Sequence, residues 1–326
     1  MNIESSLYRE LTQDELACIL SSALQTAAIE SRLLSGGLFN TTYFVKTATK
    51  GDIVLRVGPV NRHLLLSYEH RLMEIEAQVY DICASYGIPA SELLAIDTSK
   101  RLIDRDFMIV RYIPSCTFAQ LPEESAHRSR LLGEFGAAVA RMHAVTAPRF
   151  GRIDTVTAGG GYARWSDFLL AEIDDWLPSA RRAALMSEDE LHRLRRIYAD
   201  HAPLLDEITV PRLVHTDLGP GNVLIRTDGE RPEFGAIIDP DRAFFGDPMF
   251  EFCQITWMLG DDFLRGYGRA LPSDAHSLRR RRLYRAMRLC WDAYVWEMEY
   301  NKHEYMLSSM NIVRQIMNEC ERVSLQ

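Results

Sequence analysis

An α+β fold of two lobes is what this sequence predicts: a small sheet-plus-helix lobe, then a larger and mostly helical one. Three observations carry the prediction. Over residues 1–112 the segments run strands, helix, strands, without the strict alternation of a doubly wound sheet. After Pro114 the apolar spacing turns helical and only two short strand-like runs remain. The chain has 326 residues, 47% hydrophobic and 25% charged, enough to bury a core in each lobe. An N-terminal lobe at 1–112 and a C-terminal lobe at 113–326 are therefore expected.

Thr12-Gln13-Asp14-Glu15 fits a capping box that opens a helix through about Leu24, because Thr12 and Glu15 can satisfy each other's backbone donors. Ile29–Leu34 reads as a strand leading to Gly36-Gly37. Thr41–Thr47 and Ile53–Val57 then read as a β-branched hairpin around Thr49–Asp52. Leu66–Tyr86 has helical spacing and stops at Gly87, with Pro89 just beyond. Leu93–Asp97 and Phe107–Tyr112 form a second strand pair around Ser99-Lys100-Arg101. Beyond Pro114, helices are expected at Leu131–His143, Trp165–Trp176, Glu188–Asp200 and in two long segments between about 275 and 324. Val223–Ile225 and Ala236–Ile238 read as short strands, and Thr155–Gly161 as a flexible glycine-rich loop.

Charge and cysteine usage narrow the class. The net charge of −8, from 45 acidic and 37 basic side chains, disfavours a nucleic-acid partner. The one dense basic run, Arg279–Arg282, reads as a solvated helix face. Six cysteines without a CxxC pair read as reduced thiols of a cytoplasmic protein. The N-terminus has no apolar signal region, and no apolar run approaches the roughly 18 residues that span a bilayer, so no membrane association is expected.

The segment with the most chemistry is Val214-His215-Thr216-Asp217-Leu218-Gly219-Pro220-Gly221-Asn222, set just before an apolar strand. The next apolar strand ends in Ile237-Ile238-Asp239. A hairpin joining the two strands would bring Asn222 and Asp239 together. Phosphoryl transfer needs such a set: oxygen ligands that hold magnesium on nucleotide phosphates, and a carboxylate beside the attacking hydroxyl. Asn222 and Asp239 can be the metal ligands and Asp217 the base.

His215-x-Asp217-x4-Asn222, followed by Ile238-Asp239 and then Gly246-Asp247-Pro248, resembles the aminoglycoside phosphotransferase and choline kinase-like group, distant relatives of protein kinases. The group often has a further Asp after Gly-Asp-Pro; Glu251 stands here instead. The resemblance implies a bilobal protein-kinase-like fold, a catalytic Asp217, magnesium on Asn222 and Asp239, and ATP or GTP as phosphate donor. It also implies that His215 orders the catalytic loop by hydrogen bonding. Asp247 reads as a helix cap or loop anchor, while Asp241 and Arg242 are as consistent with the surface as with the site.

In the N-terminal lobe, Gly36, Gly37 and Asn40 sit where backbone N–H groups could approach phosphates. By the same resemblance, Arg56 takes the place of a strand lysine that grips the α- and β-phosphates, with Lys46 as a substitute. Glu76, thirteen residues before Pro89, is its expected helix partner, with Glu69 and Glu74 as competitors. Phe107–Pro114 resembles the hinge, where the main chain near Val110 and Tyr112 would meet a purine and Met108 or Ile109 would pack nearby. For the acceptor, Asp292, Trp296 and Glu299 recur at i, i+4, i+7, and acids interleaved with aromatic faces would suit a cationic amine or amino sugar, although such a stripe is more often packing with its acids facing solvent. Asp174, Asp175, Asp261 and Asp262 are further candidates. The expectation is a small-molecule O-kinase for an aminoglycoside or related amino sugar. A choline, sugar or homoserine type of metabolite kinase is the alternative, and a nucleotide-binding module without catalysis is the reading from another class.

Overall fold

The computed structural model describes residues 5–34 and 39–324. The first lobe holds five strands: β1 (Ala28–Leu33), β2 (Thr41–Thr47), β3 (Asp52–Val57), β4 (Leu93–Asp97) and β5 (Phe107–Arg111). They form one antiparallel sheet in the order β1-β2-β3-β5-β4. Strand alternation gives this sheet two apolar faces. On one side Tyr43, Val45, Ile53, Leu55, Phe107 and Ile109 pack with Leu16, Ile19 and Leu20 of α1 (Gln13–Leu24). On the other, Met108, Val110 and Val54 meet Met73, Ala77 and Tyr80 of α2 (Leu72–Ser85). The capping box at Thr12 is formed: Glu15 N–H donates to Thr12 Oγ1 at 3.1 Å and Thr12 N–H to Glu15 Oε2 at 2.8 Å.

The rest is mostly helical: α3 (Arg128–Met142), the short α4 (Ile153–Thr157), α5 (Trp165–Arg182), α6 (Glu188–Asp200), α7 (Ala202–Leu205), α8 (Asp261–Tyr267), α9 (Ala275–Tyr294) and α10 (His303–Ser324). Two three-stranded sheets are set into it. One orders β10 (Glu233–Ile237), β9 (Val223–Arg226) and β6 (Ser115–Thr117); the other orders β7 (Gly151–Arg152), β11 (Phe244–Gly246) and β8 (Arg212–Val214). α3 and α8 cross at backbone contact. A Cβ on Gly136 would lie 2.3 Å from Phe263 O, and one on Gly266 1.9 Å from Gly133 O, so only glycine fits at either position.

The structure corrects the sequence reading in four places. Leu66–Tyr86 is not one helix: Ser67–Arg71 is a 3-10 turn, and α2 begins only at Leu72. Thr155–Gly161 is not a free loop. α4 takes its first residues, and Gly160 N–H closes on Thr155 O at 2.9 Å. Strands β6, β7, β8 and β11 have two or three residues each, too few to show a period. Finally, the basic run is not a uniformly solvated face. Arg280 is 8% exposed and donates to Glu207, and Arg281 reaches Phe252 O at 3.0 Å.

Candidate active site

The loop between β8 and β9 carries His215, Asp217 and Asn222. Hydrogen bonds tie these three residues and the end of β10 into one unit. Asp217 N–H donates to His215 Nδ1 at 3.2 Å, so the ring's proton belongs on Nε2, which faces Ile238 O at 3.0 Å. His215 N–H in turn donates to the buried Glu251 Oε2 at 2.8 Å. Asn222 Nδ2 donates to Asp217 O at 2.8 Å and to Asp217 Oδ2 at 3.2 Å. Both neighbours are acceptors, which fixes the amide orientation and leaves Asn222 Oδ1 as the atom available to a cation. The hairpin β9–β10 pairs Val223 with Ile237, and Ile238 N–H donates to Asn222 O at 3.0 Å, which brings Asp239 beside this loop. Thr216 (φ 74°) and Asp239 (φ 66°) both sit in the left-handed region. For β-branched Thr216 that conformation persists only where surrounding bonds enforce it. Asp247 caps the turn at Pro248–Phe250 through Met249 N–H at 2.9 Å.

Arg56 reaches this loop from β3. Its guanidinium donates to both Glu76 and Asp239, with the arginine side chain 12% exposed and Glu76 fully buried. Tyr80, one turn along α2, donates its hydroxyl to Glu76 Oε1 at 2.6 Å and accepts Asp239 N–H at 3.4 Å. Burial pushes the Glu76 carboxyl up to about 7, against the opposing pull of Arg56. Burial acts in the same sense on Asp239, but Arg56 outweighs it and holds that carboxyl below its usual range. Asp241 is 7% exposed, and burial followed by the Asp239 charge keeps its carboxyl raised. Ligand atoms of Glu76, Asp239 and Asp241 lie within 4.8 Å of one another. These carboxylates are hard-oxygen donors of the kind magnesium takes, and Asn222 Oδ1 is chemically of the same kind.

Of the two competitors for Glu76, Glu69 turns to Arg242 at 2.9 Å and Glu74 to Arg71 and Thr98. Arg242 and Asp241 are thus interior groups, not surface ones. Lys46 is exposed and pairs with Asp52, four residues along β2 from Thr42, the partner of Arg56. At about 3.3 Å per residue that is roughly 13 Å away, so Lys46 does not share Arg56's position. Gly36 and Gly37 lie outside the described residues. Asn40 is 6% exposed, and its buried Oδ1 accepts no hydrogen bond. In the hinge, Val110 is buried on the α2 face. Tyr112 stacks edge-on against Phe44 at 4.8 Å, and its N–H already donates to Asp52 O at 3.2 Å. Met108 shares the face of Arg56 and Val54, whereas Ile109 points to the opposite core.

The acid-and-aromatic face offered as one of two readings for Asp292, Trp296 and Glu299 does not form as one surface. α9 ends at Tyr294 and a π turn, Val295–Glu299, follows, so the i, i+4, i+7 spacing is thrown out of phase. Asp292 accepts from Arg288 at 2.9 Å and from Gln254 at 3.0 Å. Glu299 is fully buried; burial and then neighbouring Glu69 push its carboxyl well up. Trp296 packs on Tyr300 and Tyr305. Asp174 is paired with Arg195 at 2.6 Å, and Asp262 with Arg265. Asp175 lines a cavity of about 220 Å³ with Tyr68, Arg71, Arg152 and Asp154. Sequence reasoning passed over Tyr80 and Arg288. Tyr80 had a signal, since it lies four residues after Glu76 on the same helix face. Arg288 had none.

Among the described residues no helix is long and apolar enough to cross a membrane. No curated protein matches the chain in sequence. Solved structures share its fold. A thermostable variant of aminoglycoside phosphotransferase APH(4)-Ia, in ternary complex with AMP-PNP and hygromycin B, superposes with a TM-score of 0.66. It is 20% identical, over 93% of this chain and 98% of that one. A candidate fructosamine-3-kinase from Thermobifida fusca YX-ER1 also gives 0.66, at 17% identity over 94% and 99%. Aminoglycoside 2'-phosphotransferase-IIIa in its GDP complex gives 0.61, at 16% identity over 93% and 97%. The architecture is the protein-kinase-like fold, an antiparallel N-terminal sheet followed by a mostly helical region. The profile of the phosphotransferase enzyme family (APH) matches residues 30–290 of the 326, and the chain belongs to that family.

Proposed function

We propose that this protein transfers the γ-phosphoryl group of ATP or GTP to a hydroxyl of a small molecule, with magnesium bound at Asn222 and Asp239. The observation that carries the reading is the hydrogen bonding of Asn222 to Asp217 and of Ile238 to Asn222, which supports Asp217 as base with Asn222 and Asp239 as oxygen ligands. Asp217 orients the acceptor hydroxyl and takes its proton as the phosphoryl group moves across. Asn222 Oδ1 and the Asp239 carboxylate would hold magnesium, with the Asp241 carboxyl in reach; the ion supplies charge neutralisation on the phosphates. Arg56, steadied by Glu76 and Tyr80, grips the α- and β-phosphates once it lets go of Asp239. The lobes divide near 112/113, and the nucleotide lies beneath Val54, Met108 and Val110.

For the acceptor, an aminoglycoside or related amino sugar is supported by the similar structures that bind hygromycin B and kanamycin. A second reading, a metabolite hydroxyl without strong positive charge, has its own observation: Asp292, Asp174 and Asp262 are already ion-paired, and Glu299 is buried. The test is a phosphate-transfer screen with ATP and GTP, with and without magnesium, against aminoglycosides, amino sugars, sugars and amino alcohols. Magnesium-dependent phosphorylation of one class is expected. Nucleotide binding without transfer to any of them would overturn the reading in favour of a binding module.

A further inference from the structure

Arg288 lies on α9, 71 residues after Asp217, yet it meets the catalytic loop at two points. Its NH1 donates to Thr216 O, and its NH2 stands 3.5 Å from Asp217 Oδ1. Nε is fixed by Asp292 Oδ1 at 2.9 Å, and both side chains of that pair are 13% exposed. Asp292 is held from its far side by Gln254 Nε2 at 3.0 Å, so the guanidinium has a rigid seat. Asp217 is thereby gripped on both oxygens, Oδ2 by Asn222 and Oδ1 by Arg288. Thr216, whose carbonyl Arg288 engages, is the β-branched residue at φ 74°. Its hydroxyl donates to Arg242 O at 3.4 Å, a long bond that could not enforce the conformation alone.

We infer that Arg288 is a positioning residue for phosphoryl transfer: with Asp292 it clamps Thr216 in the left-handed conformation and so aims the Asp217 carboxylate at the acceptor hydroxyl. The chemistry explains the residue type. Only a planar fork with several N–H donors reaches a carbonyl and two carboxylates at once, and a lysine ammonium would have to choose among them. The inference rests on the phosphotransfer reading, and it ties α9 to the catalytic loop.

The wild type is measured first, as magnesium-dependent phosphate release from ATP and GTP with water or a screened hydroxyl compound as acceptor. No turnover there defeats the phosphotransfer reading itself. Given turnover, Arg288→Ala should lower kcat about 100-fold, the usual cost of misplacing a reacting group by about 1 Å. The KM for nucleotide should stay within about twofold, since uniform binding is untouched. Guanidinium chloride, well below denaturing concentrations, should restore part of the lost rate, which a merely structural role would not allow. A crystal structure of the variant should show Thr216 relaxed to negative φ and the Asp217 carboxylate turned. Wild-type kcat in Arg288→Ala, or an unmoved Thr216 and Asp217, would overturn the inference. If the alanine variant does not fold, Arg288→Lys decides: a reduced kcat with normal melting supports the clamp, and full activity refutes it.

Discussion

Replacing Glu76 by alanine tests how Arg56, the proposed phosphate grip, is organised. In the wild type Glu76 Oε1 accepts from Arg56 and from Tyr80 Oη at 2.6 Å, with Glu76 fully buried and Arg56 12% exposed. Removing one partner of a buried ion pair costs about 3–5 kcal/mol, because the remaining charge is left uncompensated. Asp239 still neutralises Arg56, so the low end applies, about 3 kcal/mol in a urea melt. Glu76→Gln keeps shape and an acceptor oxygen and should lose only about 1–2 kcal/mol. The functional effect follows from the same geometry. With Glu76 gone, Arg56 has Asp239 as its sole carboxylate, and the magnesium nucleotide must compete for that carboxylate. Nucleotide Kd, measured calorimetrically with magnesium, should rise about tenfold, equivalent to about 1.4 kcal/mol. A double-mutant cycle of Arg56→Met with Glu76→Ala should then return a coupling energy of about 2–3 kcal/mol. If Glu76→Ala melts within about 0.5 kcal/mol of wild type and binds nucleotide normally, Glu76 does not organise Arg56 and the argument fails.

Three further outcomes are expected. Asp217→Ala should lower turnover by about 10²–10⁴-fold while nucleotide Kd changes by less than about threefold; comparable turnover in steady-state assays would sink the base assignment. Glu190 is held down to about 2, chiefly by Arg314 at 2.6 Å. Its folded pKa lies below the unfolded value of about 4.5, so its contribution is full above that pH and is lost as pH falls toward 2. Solvent screening of the partly exposed pair reduces that contribution to about 1 kcal/mol. Glu190→Gln should therefore melt below wild type at neutral pH, with the gap closing in acid; a gap that persists near pH 2 would contradict this. Gly266→Ala places a Cβ 1.9 Å from Gly133 O, a backbone atom that cannot step aside, so α3 and α8 must separate. Loss of about 3 kcal/mol or more is expected by denaturant melt, whereas Gly219→Ala, with open space at its Cβ, should be tolerated.

Legibility in the sequence tracked the range of the interaction. The sheet, α1 and α9 could be read because strand alternation, a capping box and a 3.6-residue period are local patterns. Asp217, Asn222 and Asp239 could be read because one loop and one hairpin fix their proximity, and no distant element is needed. Glu76 was reachable through its thirteen-residue spacing to Pro89, read with the family resemblance. The π turn was not, since Trp291–Tyr300 has an unbroken apolar and acidic rhythm; only the packing of Val295 and Tyr300 into the core shows where the extra residue enters. Arg288 was invisible for the opposite reason. A lone arginine between Met287 and Leu289 carries no pattern that names its partners, Asp217 and Asp292, until the fold brings them together.

The same point governs the acceptor. Net charge of −8 invites a cationic substrate, and Asp292, Glu299, Asp174 and Asp262 supply nominal acids for it. An acid attracts a cation only in proportion to the charge left after its own partners are counted. Asp292 is neutralised by Arg288, and Asp174 and Asp262 by Arg195 and Arg265. Glu299 is out of solvent, and burial raises its carboxyl well above the usual range. A polycationic acceptor would have to displace arginines from these carboxylates, a cost absent for a neutral hydroxyl compound. Opening the Arg288–Asp292 pair would also release the clamp on Thr216. On that proposed clamp, how a cation is met at this end of α9 and where Asp217 points depend on one ion pair.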